Sequence, residues 1–132
     1  MNAHESVRLA RRFVDRHYNK PITIEQLSRV AALSPYHFIR LFRRSYKQTP
    51  HQYLVQQRIA RAKELLRTTD MPITDICIEV GFESLGSFST LFSKVAGISP
   101  SAYRVSCNPV LPPAYIPFCV CVLHGIDDNP DP

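Results

Sequence analysis

The sequence lacks the segments that place a protein in a membrane or export it. No apolar run approaches the ~20 residues of a membrane-spanning helix. The N-terminal residues MNAHESVRLARRF contain no continuous apolar stretch of the kind found in secretory signals. We therefore expect a cytoplasmic protein. With 132 residues, 45% of them hydrophobic, the chain can form one compact unit or two very small ones, with a real core.

The motifs of common catalytic and metal sites are also absent. There is no glycine-rich phosphate loop, HExxH, GxSxG or CxxC motif, and we expect neither an enzyme nor a cofactor. Cys77 falls on a predicted packed helix face and should be a small buried hydrophobe. A soft metal or redox site built from Cys107, Cys119, Cys121 and His124 stays open, although its irregular spacing makes it the weaker interpretation.

Positive charge is concentrated in one part of the chain. All 16 lysines and arginines lie in residues 1–104 against eight acids, whereas residues 105–132 contain three acids and no lysine or arginine. Within residues 35–67, eight basic residues accompany a single acid, Glu64. Such a field attracts phosphate-rich polymers. An anionic membrane surface is the competing partner, but the basic helices are also needed for the core, which disfavours membrane binding.

The segment SPYHFIRLFRRSYK, residues 34–47, is predicted to form one amphipathic helix. Ser34 is a favourable N-cap and Pro35 a favourable first helical residue. A packing face is formed at helical spacing by Phe38, Leu41, Phe42 and Ser45. The other side has aromatic and basic groups and no acid: Tyr36, His37, Arg40, Arg43, Arg44 and Lys47. Such a helix fits the DNA major groove, where arginine bonds both acceptors of guanine, and the plain alternative is a solvated cationic face.

Two helices are predicted before this segment. The first runs from Glu5 to Tyr18, and its buried stripe consists of Val7, Leu9 or Ala10, Phe13 and Val14. The second begins at a capping box formed by Thr23 and Gln26, and its core positions are Ile24, Leu27, Val30 and Ala31. A short turn then leads to Ser34. Two short helices joined in this way, the second with a polar reading face, are typical of a helix-turn-helix.

The same pattern returns about 50 residues later. ITIEQLSRVAAL at 22–33 resembles MPITDICIEVGF at 71–82 with an offset of 49, which pairs Ala32 with Gly81. After the turn the offset is 50, and it pairs Phe38 with Phe88, Phe42 with Phe92, Pro50 with Pro100 and Tyr53 with Tyr103. Gly81 and Gly97 are placed where a helix ends with positive φ. The second unit therefore has its own helix, Ser84 to Ala96, followed by one helical turn that includes Tyr103.

These elements predict an all-α fold of about seven helices with two helix-turn-helix units. The first unit covers about residues 5–49 and the second about 69–104, within a domain of residues 1–104. A long linker helix of about 50–68 joins them, with Arg58, Arg61, Lys63 and Arg67 facing outward. Residues 105–132 form an irregular tail in which six of 28 residues are proline, and its apolar run Ile116–Leu123 is predicted to be a strand or an extended strip.

Three pieces of this layout resemble the DNA-binding domain of the AraC/XylS family of bacterial transcription regulators. They are ITIEQLSRVAALSPYHFIRLFRR, TPHQYLVQQRIARAKELL and, above all, ITDICIEVGFESLGSFSTLFSKVAGISPSAYR. The resemblance covers about residues 5–104, and the chain resembles short stand-alone members of the family. It implies seven helices with two recognition helices that enter successive major grooves of double-stranded DNA. One chain then covers two half-sites, so we expect a monomer on DNA.

The resemblance also implies roles for individual positions. Base-reading positions would be Tyr36, Ile39 and Arg40 in the first unit and Leu85, Gly86, Ser87 and Thr90 in the second. Backbone contacts would come from Ser34, His37, Arg43, Arg44, Lys47, Ser89, Ser93 and Lys94. Arg40 is the strongest candidate, with guanine as its natural partner.

The second unit departs from this pattern, because its reading positions have no long polar side chain and residues 68–104 hold two basic residues against four acids. We therefore expect the first unit to carry most of the base specificity and the second to grip the backbone or read DNA shape. The alternative is a degenerate helix-turn-helix interaction module that binds RNA polymerase or another regulator and touches DNA weakly.

Overall fold

A computed structural model describes residues 2–107, which form seven α-helices and no strand. The helices are α1 (Ala3–His17), α2 (Ile24–Ala31), α3 (Pro35–Tyr46), α4 (Pro50–Thr68), α5 (Ile73–Glu79), α6 (Leu85–Ala96) and α7 (Pro100–Cys107). The predicted all-α architecture with two helix-turn-helix units is confirmed. None of the described helices is both long and apolar enough to cross a membrane. The predicted strand or strip at 116–123 lies outside the described residues.

Side-chain caps explain where several helices begin. Thr23 and Gln26 form the predicted capping box, with Thr23 Oγ1 accepting from the Gln26 amide at 3.1 Å and Gln26 Oε1 accepting from the Thr23 amide at 3.0 Å. Ser34 caps α3 by accepting from the His37 amide, and Ser84 caps α6 by accepting from the Ser87 amide. Each cap satisfies one of the amide groups that have no partner inside the helix.

Left-handed backbone at four corresponding positions ends the helices of the two motifs. Gly81 has φ of 106° and Gly97 has φ of 89°, as predicted. Their repeat partners, Ala32 with φ of 59° and Lys47 with φ of 62°, adopt the same region although they are not glycines. Since a Cβ disfavours this conformation, the first unit tolerates local strain that the second avoids. The repeat therefore extends to the backbone conformation of the turns.

The chain divides into two compact units, one ending at Arg58 and the other beginning at Ile59, inside α4. In the first unit, α1, α2, α3 and the start of α4 enclose one core: Val7, Ala10, Val14, Leu27, Ala31, Phe38, Phe42 and Leu54. In the second, the rest of α4 and α5 to α7 bury a corresponding set: Ile59, Ala62, Leu65, Leu66, Ile76, Cys77, Val80, Phe82, Phe88, Phe92 and Ala102. Each unit therefore has its own core, which holds the second helix of its helix-turn-helix motif in place.

The aromatic contacts of the two cores repeat with the offset of 50. Phe38 and Phe42 have ring centroids 5.7 Å apart, and Phe88 and Phe92 also lie 5.7 Å apart. The Phe42 ring meets Tyr53 edge-on at 5.9 Å, and the Phe92 ring meets Tyr103 edge-on at 5.6 Å. Edge-on aromatic pairs of this kind add specific geometry to apolar burial. The four phenylalanine rings are fully buried, and the two tyrosine rings are half-buried beside them.

Several details differ from the sequence prediction. Helix α1 begins at Ala3, two residues before the predicted start, because Asn2 provides the N-cap, and it ends at His17, one residue before the predicted end. Ala10 is buried, whereas Leu9 keeps 36% of its surface exposed, which decides between the two candidates. Helix α7 continues to Cys107, beyond the single turn predicted.

Of the predicted outward residues of α4, only Arg67 is fully exposed, because Arg58, Arg61 and Lys63 are each half-buried. Arg58 is half-buried and donates hydrogen bonds to backbone carbonyls at the end of α1. Lys63 is half-buried as well, with its ammonium 5.9 Å from the centre of the Tyr103 ring. Both side chains are long enough to bend back over neighbouring elements, so helical periodicity alone did not reveal their position.

Candidate nucleic-acid interface

Helix α3 has a buried apolar side and an exposed basic side. Phe38 and Phe42 have no exposed surface, and they fix the helix against the first-unit core. The opposite side is exposed and carries the residues of what we call the α3 face: Tyr36, His37, Arg40, Arg43, Arg44 and Lys47. Helix α3 contains no acidic residue. The structure thus presents as one exposed surface the side chains that the sequence placed on the reading side.

Arg40 and Tyr36 form a pair on the α3 face, one helical turn apart. The guanidinium carbon of Arg40 lies 5.6 Å from the centre of the Tyr36 ring. Arg40 Nη1 also donates a hydrogen bond of 3.3 Å to the Tyr36 hydroxyl oxygen. Tyr36 is 71% exposed, so the pair stands out from the protein surface. With His37, Leu41 and other α3 residues the pair lines a shallow surface depression.

Two of the remaining first-unit site residues have structural roles. Ile39 is half-buried and packs against the first-unit core, which leaves it less surface for a ligand than Tyr36 or Arg40 has. The Ser34 hydroxyl oxygen accepts from the His37 amide at 3.3 Å, so it holds the start of α3. Its hydroxyl hydrogen is not used by that bond and can still be donated outward.

Helix α6 offers a flatter surface at the corresponding positions. Gly86, Ser87 and Thr90 are exposed, and Leu85 keeps 43% of its surface exposed. Gly86 has open space where a Cβ would stand, so the core does not require a glycine there. Of the predicted backbone-contact positions, Lys94 is exposed while Ser89 and Ser93 are half-buried. Helix α6 therefore has one long polar side chain where α3 has several.

Acidic residues surround an exposed isoleucine in the second unit. Asp75 and Glu79 on α5, and Glu83 just before α6, are exposed. Ile78, between them in the chain, keeps 70% of its surface exposed. Helical spacing agrees with this exposure, because the buried stripe is formed by Ile76, Cys77 and Val80 and Ile78 lies off it. An exposed apolar side chain among acids does not suit a surface that lies on phosphates.

The part of the chain that the structure describes contains no group of three or more histidine, cysteine or acidic side chains arranged for a metal ion. Cys77 is buried, with Sγ 3.4 Å from the Ser84 carbonyl oxygen, and burial raises the pKa of its thiol. The prediction that Cys77 is a small buried hydrophobe is confirmed. Of the other candidate ligands, Cys119, Cys121 and His124 lie outside the described residues.

Comparison with known proteins decides the family. A helix-turn-helix domain profile matches residues 27–106. The regulatory protein SoxS of Salmonella typhimurium is 34% identical over 92 residues, which cover 70% of this chain and 86% of SoxS. The chain belongs to the AraC/XylS family of DNA-binding transcription regulators.

Other members of the AraC/XylS family extend well beyond the region that this chain matches. The probable transcriptional regulator LumQ of Photobacterium leiognathi is 35% identical over 92 residues, which cover 70% of this chain but only 37% of LumQ. Among solved structures, the DNA-binding domain of the global transcriptional factor AdpA, in complex with a target DNA, is 28% identical. It superposes with a TM-score of 0.71, covering 80% of this chain and 93% of the solved domain. The shared region is thus the double helix-turn-helix domain.

Proposed function

We propose that this protein is a sequence-specific regulator that reads the major groove of double-stranded DNA mainly with α3 and secondarily with α6. The observation that carries the proposal is the α3 face, which is exposed, basic and free of acidic residues within α3, while Phe38 and Phe42 anchor the other side of the helix. The DNA-binding domain of AdpA, which has the same fold, has been solved in complex with a target DNA, which supports DNA as the ligand.

The exposed side chains divide into two roles. Arg40 reads guanine, because an arginine can bond both major-groove acceptors of that base. Tyr36 and the exposed part of Ile39 lie beside it at the base edges. Contacts to phosphates come from exposed residues that set register but not sequence, and in the first unit these are Ser34, His37, Arg43, Arg44 and Lys47.

The second unit reads less sequence in this proposal. The exposed surface of α6 has no long side chain at Leu85, Gly86, Ser87 and Thr90, so DNA can approach it closely. At these positions the protein reads the shape of the DNA rather than its base edges. Ser89, Ser93 and Lys94 grip the backbone, with Lys94 as the one full charge. Since one chain carries two motifs, it binds its site as a monomer.

The test is selection from a random duplex library at near-physiological salt, with wild type, Arg40→Ala and Arg43→Ala in parallel. Wild type should enrich a motif that contains a guanine, and Arg40→Ala should relax that one position by about 10-fold. Arg43→Ala is the matched control, because it removes an exposed arginine of the same helix and should lower affinity for all sequences. An identical motif from wild type and Arg40→Ala would refute the assignment of Arg40.

A second candidate function has an observation of its own. The exposed Ile78 among Asp75, Glu79 and Glu83 suits a basic protein partner, such as a surface of RNA polymerase, better than it suits DNA. In that case the chain would be an interaction module with weak DNA affinity. Salt dependence separates the two candidates, since specific DNA binding loses affinity steeply with salt and exceeds random-duplex binding by a large factor.

A further inference from the structure

Tyr36 is a large side chain on the surface with no role in the core. It keeps 71% of its surface exposed, and the residue against which it places its ring and hydroxyl is Arg40. The spacing of four residues puts the two side chains above one another on the same face of α3. The guanidinium is held twice, by the ring face and by the hydroxyl oxygen. Two contacts with one side chain restrict the rotation of the guanidinium more than either contact would alone.

We infer that Tyr36 is a positioning residue, which holds the Arg40 guanidinium in the orientation needed to read guanine and contributes little direct contact with a base. This inference rests on the proposed function of α3 and assigns Tyr36 a different task within it.

The physical reason is the cost of ordering arginine. A free arginine side chain loses much rotamer freedom when it bonds a base edge in a fixed plane, and that loss subtracts from affinity and specificity. In this protein the side chain is ordered before DNA arrives. The Tyr36 bond uses one donor of Nη1, which leaves the other guanidinium donors for the acceptors of guanine. Holding the guanidinium beforehand therefore does not block reading.

No other basic residue of the α3 face is held in this way. Within residues 2–107, Arg43, Arg44 and Lys47 make neither a side-chain hydrogen bond nor a ring contact. The second unit has no equivalent pair, because Gly86 and Thr90 occupy the positions of Tyr36 and Arg40 under the offset of 50. The ordered guanidinium is thus a feature of one position, which matches a role in reading one base and not in general attraction to phosphate.

The first experiment needs no DNA. Nitrogen-15 relaxation of arginine Nε groups in the free protein should show Arg40 more ordered than Arg43 in wild type. Tyr36→Ala should lower the order of Arg40 to that of Arg43, and Tyr36→Phe, which keeps the ring and removes the hydroxyl, should give an intermediate value. Equal order of Arg40 and Arg43 in wild type would overturn the inference whether or not the protein binds DNA.

The second experiment is a double-mutant cycle on the duplex that wild type selects. Each variant is measured on that duplex and on one with the guanine pair exchanged. Tyr36→Ala should lower the ratio of the two affinities about threefold, in keeping with the worth of an exposed cation–π contact, and Tyr36→Phe should restore part of it. In an Arg40→Ala background, Tyr36→Ala should change nothing further.

The outcomes separate this inference from the proposed function. An equal loss from Tyr36→Ala with and without Arg40 would mean that Tyr36 contacts DNA itself, and the inference would be overturned while the proposed function stands. If wild type does not discriminate between any duplexes, the proposed function is overturned and the reading role of the pair falls with it. The relaxation result then still decides whether Tyr36 orders Arg40.

Discussion

Arg58 Nε donates a hydrogen bond of 2.6 Å to the carbonyl oxygen of Tyr18, the C-cap residue of α1. Its Nη2 donates to the carbonyl oxygen of Lys20 at 3.0 Å. The last carbonyls of a helix have no partner inside it, and a basic side chain there also faces the negative end of the helix dipole. Arg58 therefore ties the middle of α4 to the end of α1.

The second unit closes the end of α4 with Arg104 of α7. Arg104 Nε donates to the Leu66 carbonyl at 3.2 Å, and its Nη2 donates to the Thr69 carbonyl at 3.1 Å. The two arginines occupy different positions in the sequence repeat, since position 104 matches Leu54 under the offset of 50. The same stabilising contact thus arises from different residues of the two units.

Replacing either arginine should destabilise its own unit. Arg58→Ala leaves two backbone carbonyls without their charged donor, and we expect the free energy of unfolding to fall by about 1.5–3 kcal/mol. Arg104→Ala should have an effect of the same sign. Urea unfolding followed by circular dichroism measures both changes. Arg12→Ala, at an exposed position of α1, is the control and should stay within about 0.5 kcal/mol of wild type.

Periodicity predicted this fold well because its main determinants are local or repeated. The sequence paired Phe42 with Phe92 and Tyr53 with Tyr103, and the structure shows the same ring contact in each unit. Arg58 could not be placed in the same way. Its Cα lies on the side that periodicity assigns to solvent, and only the course of the chain near Tyr18 decides where the guanidinium goes.

In the candidate site as well, the sequence predicts which helix face is polar but not which side chains contact each other. The sequence predicted which side of α3 is polar, since that depends on helical spacing. It did not predict that Arg40 is held by Tyr36, because the spacing of four residues permits the contact but side-chain rotamers decide it. The exposure of Ile78 agrees with helical spacing, because Ile76, Cys77 and Val80 form the buried stripe of this segment and Ile78 lies off it.

Tyr53 should make stability depend on alkaline pH. Burial, followed by the hydrogen bond of 2.6 Å that its hydroxyl donates to Asp15, raises the pKa of Tyr53 far above its ordinary value. Its stabilising contribution is present below the unfolded pKa of about 10 and is lost as pH rises through the folded pKa. We expect the free energy of unfolding to decline above about pH 10, and to decline less in Tyr53→Phe.

The measurement is urea unfolding of wild type and Tyr53→Phe at several pH values from about 8 to 11. Tyr36→Phe, which removes a hydroxyl from an exposed tyrosine outside the core, is the matched control and should follow wild type. Parallel curves for wild type and Tyr53→Phe over the whole range would show that the contact with Asp15 has no influence on stability at high pH.

Two glycines should respond in opposite directions to the same substitution. Gly86 lies inside α6 with open space where the alanine Cβ would stand, so Gly86→Ala should stabilise the protein by about 0.5–1 kcal/mol. Gly97 has φ of 89°, and Gly97→Ala should destabilise it by about 1 kcal/mol or more. Thermal or urea unfolding gives both values, and a destabilising Gly86→Ala would mean that α6 is not an ordinary helix there.

The Gly86→Ala variant also tests how closely DNA approaches α6. If the low surface at Gly86 and Ser87 serves close contact, the more stable variant should bind the selected duplex more weakly. Gly86→Ser supplies a second, polar side chain at the same place. Unchanged affinity in both variants would argue that the DNA stays away from the start of α6 and that the first unit alone determines binding.

The phosphate contacts of the first unit should appear as a change in salt dependence rather than in sequence preference. Each released counterion contributes to the slope of log affinity against log salt, so Arg43→Ala and Arg44→Ala should each reduce that slope by about one while leaving the selected motif intact. Arg12→Ala lowers the net charge by the same amount from an exposed position on α1. If all three variants reduced the slope equally, long-range charge and not contact by α3 would account for the binding. A reduced slope in the α3 variants alone would instead locate the DNA backbone beside Arg43 and Arg44.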